Sequence, residues 1–251
     1  VCCFKEDKPL FIFPLFYNFK DAYFHNFDEL IKLPKTNAQD DIANIILSIF
    51  YKKKAFFLNL YENQKERFCK VGSCETLNIN LKNDIDKIFS EFRKSYKSLI
   101  RKELTDMKMT IVYKKDCSKE WEEFKKLHLF LAGKITRSDK SWNIQKENIL
   151  NGKGLFIYFK KDDQLISGAF FDLTDQDIKY SVSLTHDDFF KNNCNHKSIY
   201  EAIKFGNEKK IQNIYLGSLK ENEKNEKIKN IFFFKKGFCA KSEHNNIYRL
   251  K

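Results

Sequence analysis

Three β-like segments joined by tight links constrain the fold of this chain more than any other feature; they lie at residues 154–159, 164–173 and 178–184. The link between the first two segments, Lys161 to Asp163, is short enough for a β-hairpin. Two predicted helices precede these segments, and a third follows them at residues 196–207. Three consecutive strands enclosed by helices are typical of a mixed α/β layer and not of repeated βαβ units.

The order of predicted elements from residue 107 onward extends this pattern. A strand at residues 107–113, in which apolar and polar residues alternate, comes first. A helix capped at Ser118 follows, with glutamates early in the helix where the dipole favours them, and then a helix capped at Asp139. After the three strands and the next helix come a strand at 211–216, a charged loop with a short helix at 220–230, and final strands around 238–240 and 246–250. The sequence therefore predicts an α/β fold with a mixed sheet.

A predicted helix at residues 83–105 carries two of the five arginines of the chain, Arg93 and Arg101, on a basic face. The formal net charge is +12, from 46 basic and 34 acidic residues, and 41 of the basic residues are lysines. Because this excess of Lys follows the overall composition, a single Arg is more informative than a single Lys. A basic balance suits a polyanionic partner such as tRNA, a nucleotide or an anionic lipid surface. Solvated, Lys-rich faces are the alternative.

Hydrophobic, cysteine and histidine patterns exclude several classes of protein. Hydrophobic residues make up 42% of the chain and aromatic residues 16%, which excludes a disordered chain. No segment reaches the roughly 18 apolar residues that a membrane helix needs. The seven Cys form no CxxC pair, and no two of the five His have the spacing of metal ligands. We therefore expect reduced thiols, no metal site, no integral membrane segment and a cytoplasmic location.

Four local strings carry a resemblance to a known family. They are the basic stretch at 92–102, the stretch at 127–142 with its Ala-Gly-Lys-Ile-Thr-Arg-Ser loop, Tyr-Leu-Gly at 215–217 and Phe-Lys-Lys-Gly-Phe at 234–238. In these strings the chain resembles FemAB-like transferases, which are members of the GNAT acyltransferase superfamily. The most specific match is the last string, which is similar to an FKxGF string near the end of those proteins. The element order also agrees with the splayed central sheet of that fold.

The resemblance implies a division of the chain into two parts. Residues 76–251 would form a GNAT-like (FemAB-like) domain, preceded at residues 1–75 by a partial or shortened second GNAT-like domain. In this first part, Ile42, Ile45, Ile46 and Ile49 have the spacing of an amphipathic helix. Two-domain family members are longer, so by this resemblance we expect the sequence to be either truncated or a reduced variant.

The resemblance also implies an activity: transfer of an acyl or aminoacyl group onto an amine of a cell-surface glycan, nucleotide-sugar or peptidoglycan precursor. The donor would be aminoacyl-tRNA or acyl-CoA, with no permanently bound cofactor. Acetyl-CoA enzymes hold the pyrophosphate at a glycine-rich helix start. The corresponding stretch at 192–198 has no glycine, which disfavours ordinary acetyl-CoA without excluding CoA thioesters. The oligomeric state is left open.

Five residues are candidates for the site. The resemblance assigns Lys235 the catalytic duty of stabilising the oxyanion of a tetrahedral intermediate, and Phe234 would shape the pocket beside it. Arg137, a rare Arg in a loop, suits bidentate binding of a phosphate or carboxylate. Tyr180 resembles the Tyr of the strand that lines the acceptor site. His196, at a helix start, is a candidate substrate contact. Core packing is the alternative for Phe234 and Tyr180, and a surface Lys for Lys235.

A different class of function also fits the basic stretch. A non-catalytic module derived from the same fold would bind RNA through residues 83–105, or would act through protein contacts. RNA binding of this kind predicts affinity that falls with salt and no acyl transfer from either donor.

Overall fold

The computed structural model describes the backbone at residues 2–5, 8–12, 16–17, 22–23, 56–58, 68–238 and 242–250, and side chains at 70, 72–238 and 242–246. The strands in these ranges are β1 (Cys2–Lys5), β2 (Lys8–Ile12), β3 (Phe16–Tyr17), β4 (Ala22–Tyr23), β5 (Phe56–Leu58), β6 (Phe68–Asn80), β7 (Lys108–Val112), β8 (Gly154–Lys161), β9 (Gln164–Leu173), β10 (Asp177–Thr185), β11 (Asn213–Lys220) and β12 (Ser242–Leu250). The helices are α1 (Ile85–Ser90), α2 (Lys94–Arg101), α3 (Ser118–Ala132), α4 (Asp139–Leu150), α5 (Cys194–Glu208) and α6 (Glu226–Lys236), with a 3₁₀ helix at Asp187–Asn192. The helix predicted around residues 42–49 lies outside the described residues.

The chain forms two compact units. The first comprises residues 1–76, 218–232 and 243–251, and the second comprises residues 77–217 and 233–242. In the first unit β1 pairs antiparallel with β2, β3 with β4, and β5 with β12. The interpretation of residues 1–75 as a shortened GNAT-like domain, with the rest of the chain as the complete one, stays a prediction.

The second unit is built on a mixed sheet with the strand order β6-β11-β10-β9-β8-β7. Strands β7 to β10 pair antiparallel in chain order, whereas β10 and β11 pair parallel. A parallel pair needs a crossover connection, which α5 supplies. From β7 onward the elements follow the order β-α-α-β-β-β-α-β-α-β. This order confirms the predicted α/β class with a mixed sheet.

Helices cover both faces of this sheet. On one face, Trp121 and Phe124 of α3 pack with Trp142 of α4, Phe156 of β8 and Phe170 of β9, and each of these side chains is at most 4% exposed. On the other face α5 contacts β9 and β10. Strands that are buried on both faces lack the alternation of apolar and polar residues. This is why the first six residues of β8, all buried, form a continuous apolar run.

The predicted single helix at residues 83–105 is wrong. The structure has α1, which begins after the N-cap Asp84, and α2, which ends at Arg101, with a break between them. At the break Arg93 has an extended backbone, with ψ of 136°, and its N–H donates to the carbonyl of Gly237 at 2.8 Å. The neighbouring Phe92 is buried, with 3% of its surface exposed. At the break, tertiary contacts therefore replace the hydrogen bonds of a continuous helix.

The end of the chain also differs from the prediction. Helix α6 extends beyond the predicted short helix and ends at Lys236, so Phe234 and Lys235 lie in its last turn. Phe238 lies in the turn that follows α6 and not in a strand. The remainder of the strand predicted around residues 238–240 lies outside the described residues.

Candidate functional site

The end of the parallel pairing between β10 and β11 defines the candidate site. In the described part of the chain the two strands pair at the first three residues of β10, up to Lys179 opposite Tyr215. Strand β10 then continues beside β9 to Thr185. Gly217 of β11 has φ of 124°, a conformation that glycine adopts readily and other residues rarely do. Among the described residues the two strands do not pair beyond this point, and the region between them there is called the gap below.

Lys235 reaches this gap from the last turn of α6. Its Nζ lies 4.9 Å from the centroid of the Tyr180 ring, and a Cβ added to Gly217 would lie 3.1 Å from the same Nζ. The ammonium group thus lies between a side chain of β10 and the backbone of β11. Burial raises the pKa of Tyr180 to about 12, so the phenol stays neutral and its ring attracts the cation.

A β-bulge in β10 lies directly beside Tyr180. The register with β9 shifts between Tyr180 and Val182, which makes Ser181 the extra residue of the bulge. The Ser181 hydroxyl donates to a carboxylate oxygen of Asp172, and its carbonyl accepts a hydrogen bond from Nη2 of Arg137 at 3.4 Å. Two charged side chains therefore hold the bulge in place.

Arg137 lies in the loop between α3 and α4. Its Cζ is 5.7 Å from the ring centroid of Trp142, which also contacts His128 at 5.2 Å between ring centroids. Burial, and then the charge of Arg137, lowers the pKa of His128. The guanidinium is therefore held by packing on Trp142 and by the bulge, beside a histidine that favours its neutral form.

Asp172 is the ionisable residue of this region that sequence reasoning missed. Its carboxylate accepts hydrogen bonds from the side chains of Ser181 and Asn148. Burial raises the pKa of Asp172 above the usual value, and the hydrogen bonds and nearby cations oppose that rise. One sequence signal could have found it, because it is the one charged residue in the strand segment 164–173, and a buried carboxylate needs partners.

Phe234 and His196 lie in an aromatic cluster with Tyr96 and Phe238. The His196 ring packs edge-on against Tyr96, 4.4 Å between centroids, and against Phe234 at 5.0 Å. Phe238 is 1% exposed and contacts the other three rings. Burial lowers the pKa of His196 to about 4, so the ring is neutral at pH 7. The histidine therefore contributes packing and neutral polar atoms, and it brings no positive charge.

Close packing against Tyr96 explains why the fourth residue of the Phe-Lys-Lys-Gly-Phe string, Gly237, is a glycine. A Cβ at this position would lie 2.2 Å from the ring of Tyr96. The Tyr96 hydroxyl donates to the carbonyl of Phe234 at 3.0 Å, and the N–H of Arg93 donates to the carbonyl of Gly237 at 2.8 Å. The string thus fixes the end of α6 against α2, and this orients Lys235.

The segment before α5 is not a glycine-rich anion loop. Asn193, with φ of 61°, precedes the helix, and Lys197 in its first turn donates to the carbonyl of Ile100 at 2.6 Å. Burial raises the pKa of Cys194 to about 11 and that of Cys117 to about 12. Both thiols are therefore protonated at pH 7, and neither is suited to act as a nucleophile.

A cavity of about 550 Å³ lies elsewhere in the second unit, at the outer edge of the sheet. Its lining includes Asp106, Tyr158 and Lys160, whose Nζ donates to Glu120 at 3.1 Å. None of the five predicted site residues lines it. Among the residues described, no group of three or more His, Cys, Asp or Glu is arranged to hold a metal ion. No helix in the same part of the chain is long and apolar enough to cross a membrane.

The structure brings the five predicted residues into one connected region of the second unit. Arg137 contacts the residue that follows Tyr180, and Tyr180 contacts Lys235. Phe234, next to Lys235 in the chain, contacts His196. Their catalytic and substrate-binding roles stay predictions.

Comparison with known proteins identifies the fold. No family model and no curated protein matches the sequence. Among solved structures, FemX matches with a TM-score of 0.67 and 10% identity, over 99% of this chain and 86% of FemX. A conserved protein of unknown function from Bacteroides thetaiotaomicron gives a TM-score of 0.60 at 10% identity, over 94% of this chain and 82% of that one. L-PGS from Bacillus licheniformis gives 0.54 at 12% identity, over 84% and 72%. The FemAB-like fold that the sequence strings predict is therefore confirmed.

Proposed function

We propose that this protein is a transferase that moves an acyl or aminoacyl group onto an amine of a cell-surface glycan, nucleotide-sugar or peptidoglycan precursor. The observation that carries the proposal is the ammonium group of Lys235 in the gap between β10 and β11, 4.9 Å from the ring of Tyr180. The shared fold with FemX supports the same reaction class. A fixed, half-buried cation suits a reaction in which negative charge develops on oxygen.

The proposed reaction is a direct transfer without a covalent enzyme intermediate. The amine nitrogen bonds to the carbonyl carbon of the donor, and the carbonyl electron pair moves onto oxygen. Lys235 donates a hydrogen bond to that oxyanion. Collapse then breaks the C–O bond of an aminoacyl ester or the C–S bond of a thioester, and the leaving oxygen or sulfur takes the proton that the amine loses. Alignment of the two substrates supplies much of the remaining rate.

Other residues would bind the substrates. Arg137 would pair with a phosphate or carboxylate of the donor or acceptor, and Tyr180 would line the acceptor site. Phe234 and His196 would form the apolar wall behind Lys235. The absence of glycine from residues 192–198 disfavours ordinary acetyl-CoA, and the donor would be aminoacyl-tRNA or another CoA thioester. The cytoplasm, where both donors are made, is the proposed location.

The experiment supplies the purified chain with labelled aminoacyl-tRNA or acyl-CoA and an extract of glycan, nucleotide-sugar and peptidoglycan precursors. Mass analysis of the products identifies the transferred group and the acceptor. A comparison of surface glycans with and without the gene tests the same acceptors in the cell. Transfer from one donor class supports the proposal. No transfer from either class, together with salt-dependent RNA binding, would instead support the non-catalytic module.

A pair of lysine variants tests the role of Lys235. Lys235→Met removes the charge but keeps an apolar stem against Tyr180, so we expect kcat to fall by about 100- to 1000-fold. Lys236→Met is the matched control, because this neighbouring side chain is exposed, and its kcat should stay at the wild-type value. Full activity in Lys235→Met, or equal losses in both variants, would show that Lys235 is not catalytic.

A further inference from the structure

Gln145 of α4 is a buried polar side chain whose oxygen is unsatisfied. The residue is 8% exposed, and its Oε1 is buried without a hydrogen bond from any residue that the structure describes. Trp142 and Ile149, the other buried residues of α4, belong to the hydrophobic core of the second unit. A buried acceptor without a donor lowers stability, and most buried polar atoms are therefore hydrogen-bonded. A donor from outside the described residues would satisfy this oxygen.

The position of Gln145 on α4 directs its side chain away from α3 and toward the polar contacts of β9. Asp139 forms an ion pair with α3 at 2.8 Å, and at about 100° per residue it lies about 60° to one side of Trp142. Gln145 lies about 60° to the other side of Trp142, and Asn148 lies about 60° further in the same direction. The Asn148 side chain is hydrogen-bonded to Asp172 of β9. Gln145 therefore lies between the core face of α4 and the side that contacts Asp172.

The direction of helical side chains places Arg137 on the same side of α4. Long side chains of a helix lean toward its N-terminus, so Gln145 leans toward Trp142, which lies one turn earlier. Arg137 directly precedes the N-cap of α4, and its Cζ lies 5.7 Å from the ring centroid of Trp142. The same guanidinium donates to the carbonyl of Ser181, whose hydroxyl donates to Asp172. The oxygen of Gln145 is thus directed toward the polar region that links Arg137 to Asp172.

We propose that Gln145 is a specificity-determining residue, which accepts a hydrogen bond from the substrate whose anion Arg137 binds. This inference rests on the proposed transferase function and adds a second contact to the same substrate. The donor would be an amide N–H or a hydroxyl group close to a phosphate or carboxylate, a combination that sugar phosphates and peptides both carry. A substrate with this donor gains the hydrogen bond that the described residues leave unmade, whereas an analogue without it leaves the oxygen unpaired.

The first test is thermal unfolding of Gln145→Met without any substrate. Methionine keeps an unbranched side chain and a similar helix propensity, but it removes the unsatisfied acceptor. We therefore expect the midpoint of thermal unfolding to rise by about 2–10 °C. Glu147→Met is the matched control, because Glu147 is exposed on the same helix, and its midpoint should shift by less than about 2 °C. An unchanged or lower midpoint in Gln145→Met would show that a buried water or another group already satisfies the oxygen, and it would overturn the proposal.

The second test measures transfer kinetics with the substrates that the mass analysis of products identifies. In Gln145→Met we expect the KM of the substrate that carries the anion to rise about five- to tenfold, with kcat unchanged. In Glu147→Met the KM should stay at the wild-type value. Higher stability together with weaker substrate binding is the combination that a purely structural role for Gln145 would not give. An unchanged KM in Gln145→Met would overturn this inference and leave the transferase standing, whereas no transfer by the wild-type chain would refute the proposed function itself.

Discussion

Replacing Gly237 by Ala tests how the Phe-Lys-Lys-Gly-Phe string fixes Lys235. The added Cβ would lie 2.2 Å from Cε2 and 2.5 Å from Cζ of Tyr96, so either the ring or the backbone must move by about an ångström to reach ordinary contact. The φ of Gly237 is not among the positive values of the described glycines, so the penalty is steric. Tyr96 cannot move freely, because it is 7% exposed and its hydroxyl donates to the carbonyl of Phe234 at 3.0 Å.

The expected cost follows from these contacts. Overpacking of a filled site costs about 1–3 kcal/mol, and loss of the Tyr96 hydrogen bond adds about 1 kcal/mol. We therefore expect Gly237→Ala to lower the free energy of unfolding by about 2–4 kcal/mol. Urea unfolding followed by tryptophan fluorescence measures it, since both tryptophans, Trp121 and Trp142, lie in the core of the second unit.

Two further variants make this prediction specific. At Gly72 an added Cβ meets no atom within 4 Å, so Gly72→Ala should change stability by less than about 0.5 kcal/mol. Tyr96→Ala opens the space that the new methyl group needs, so Gly237→Ala should cost much less in that background. A loss below about 0.5 kcal/mol for Gly237→Ala alone, or an equal loss with and without Tyr96, would refute the packing argument.

Three other predictions follow from the ionisable residues. The folded-state pKa of His196 is about 4, below the ordinary value near 6.5. Because the unfolded chain therefore binds the proton first, the free energy of unfolding should fall as pH decreases from about 6.5 to 4. In urea unfolding across this range, the free energy of unfolding of His196→Gln should depend less on pH than that of the wild-type chain. Because the folded-state pKa of Asp172 is raised, ionisation of this carboxyl is less favourable in the folded chain than in the unfolded chain, so the free energy of unfolding should fall as pH rises from the ordinary pKa through the folded-state value. Asp172→Asn keeps an acceptor for Ser181 and should preserve stability at pH 7, whereas Asp172→Ala should cost about 1–3 kcal/mol in the same assay. Arg137→Lys replaces a bidentate donor by a point charge, so the KM for the substrate whose phosphate or carboxylate Arg137 is proposed to bind should rise about tenfold at constant kcat. A fall in kcat alone would assign Arg137 to positioning of the bulge.

The order of strands and helices from β7 onward could be predicted from the sequence, because the buried strands are apolar runs that stand out from the polar segments around them. The first six residues of β8 are buried on both faces, and such strands appear as apolar runs bounded by turns. The break between α1 and α2 could not be predicted in the same way. The apolar spacing of Ile85, Ile88, Phe89 and Phe92 continues through it, and the contact that replaces the helical hydrogen bond comes from Gly237, far along the chain.

The candidate site shows the same division between local and distant information. Lys235 could be selected among 41 lysines because a five-residue string marks it, and the string is local. The bulge at Ser181 depends on the register between two strands, which no single strand sequence specifies. Asp172 was missed for the same reason, since its partners come from another strand and from α4.

The bulge has a consequence for how the proposed substrates meet. Tyr180 packs against Phe171, 5.1 Å between ring centroids, whereas Ser181 bonds to Asp172. Phe171 and Asp172 are consecutive residues of β9 and therefore point to opposite faces of the sheet. Lys235 thus approaches β10 from the face of Tyr180, and Arg137 approaches from the side of the bulge that Asp172 shares. If Lys235 stabilises the oxyanion and Arg137 binds the substrate anion, the reacting carbonyl and that anion must lie on opposite sides of β10. In the described residues, the place where the pairing of β10 with β11 ends is where we expect a single substrate to reach both.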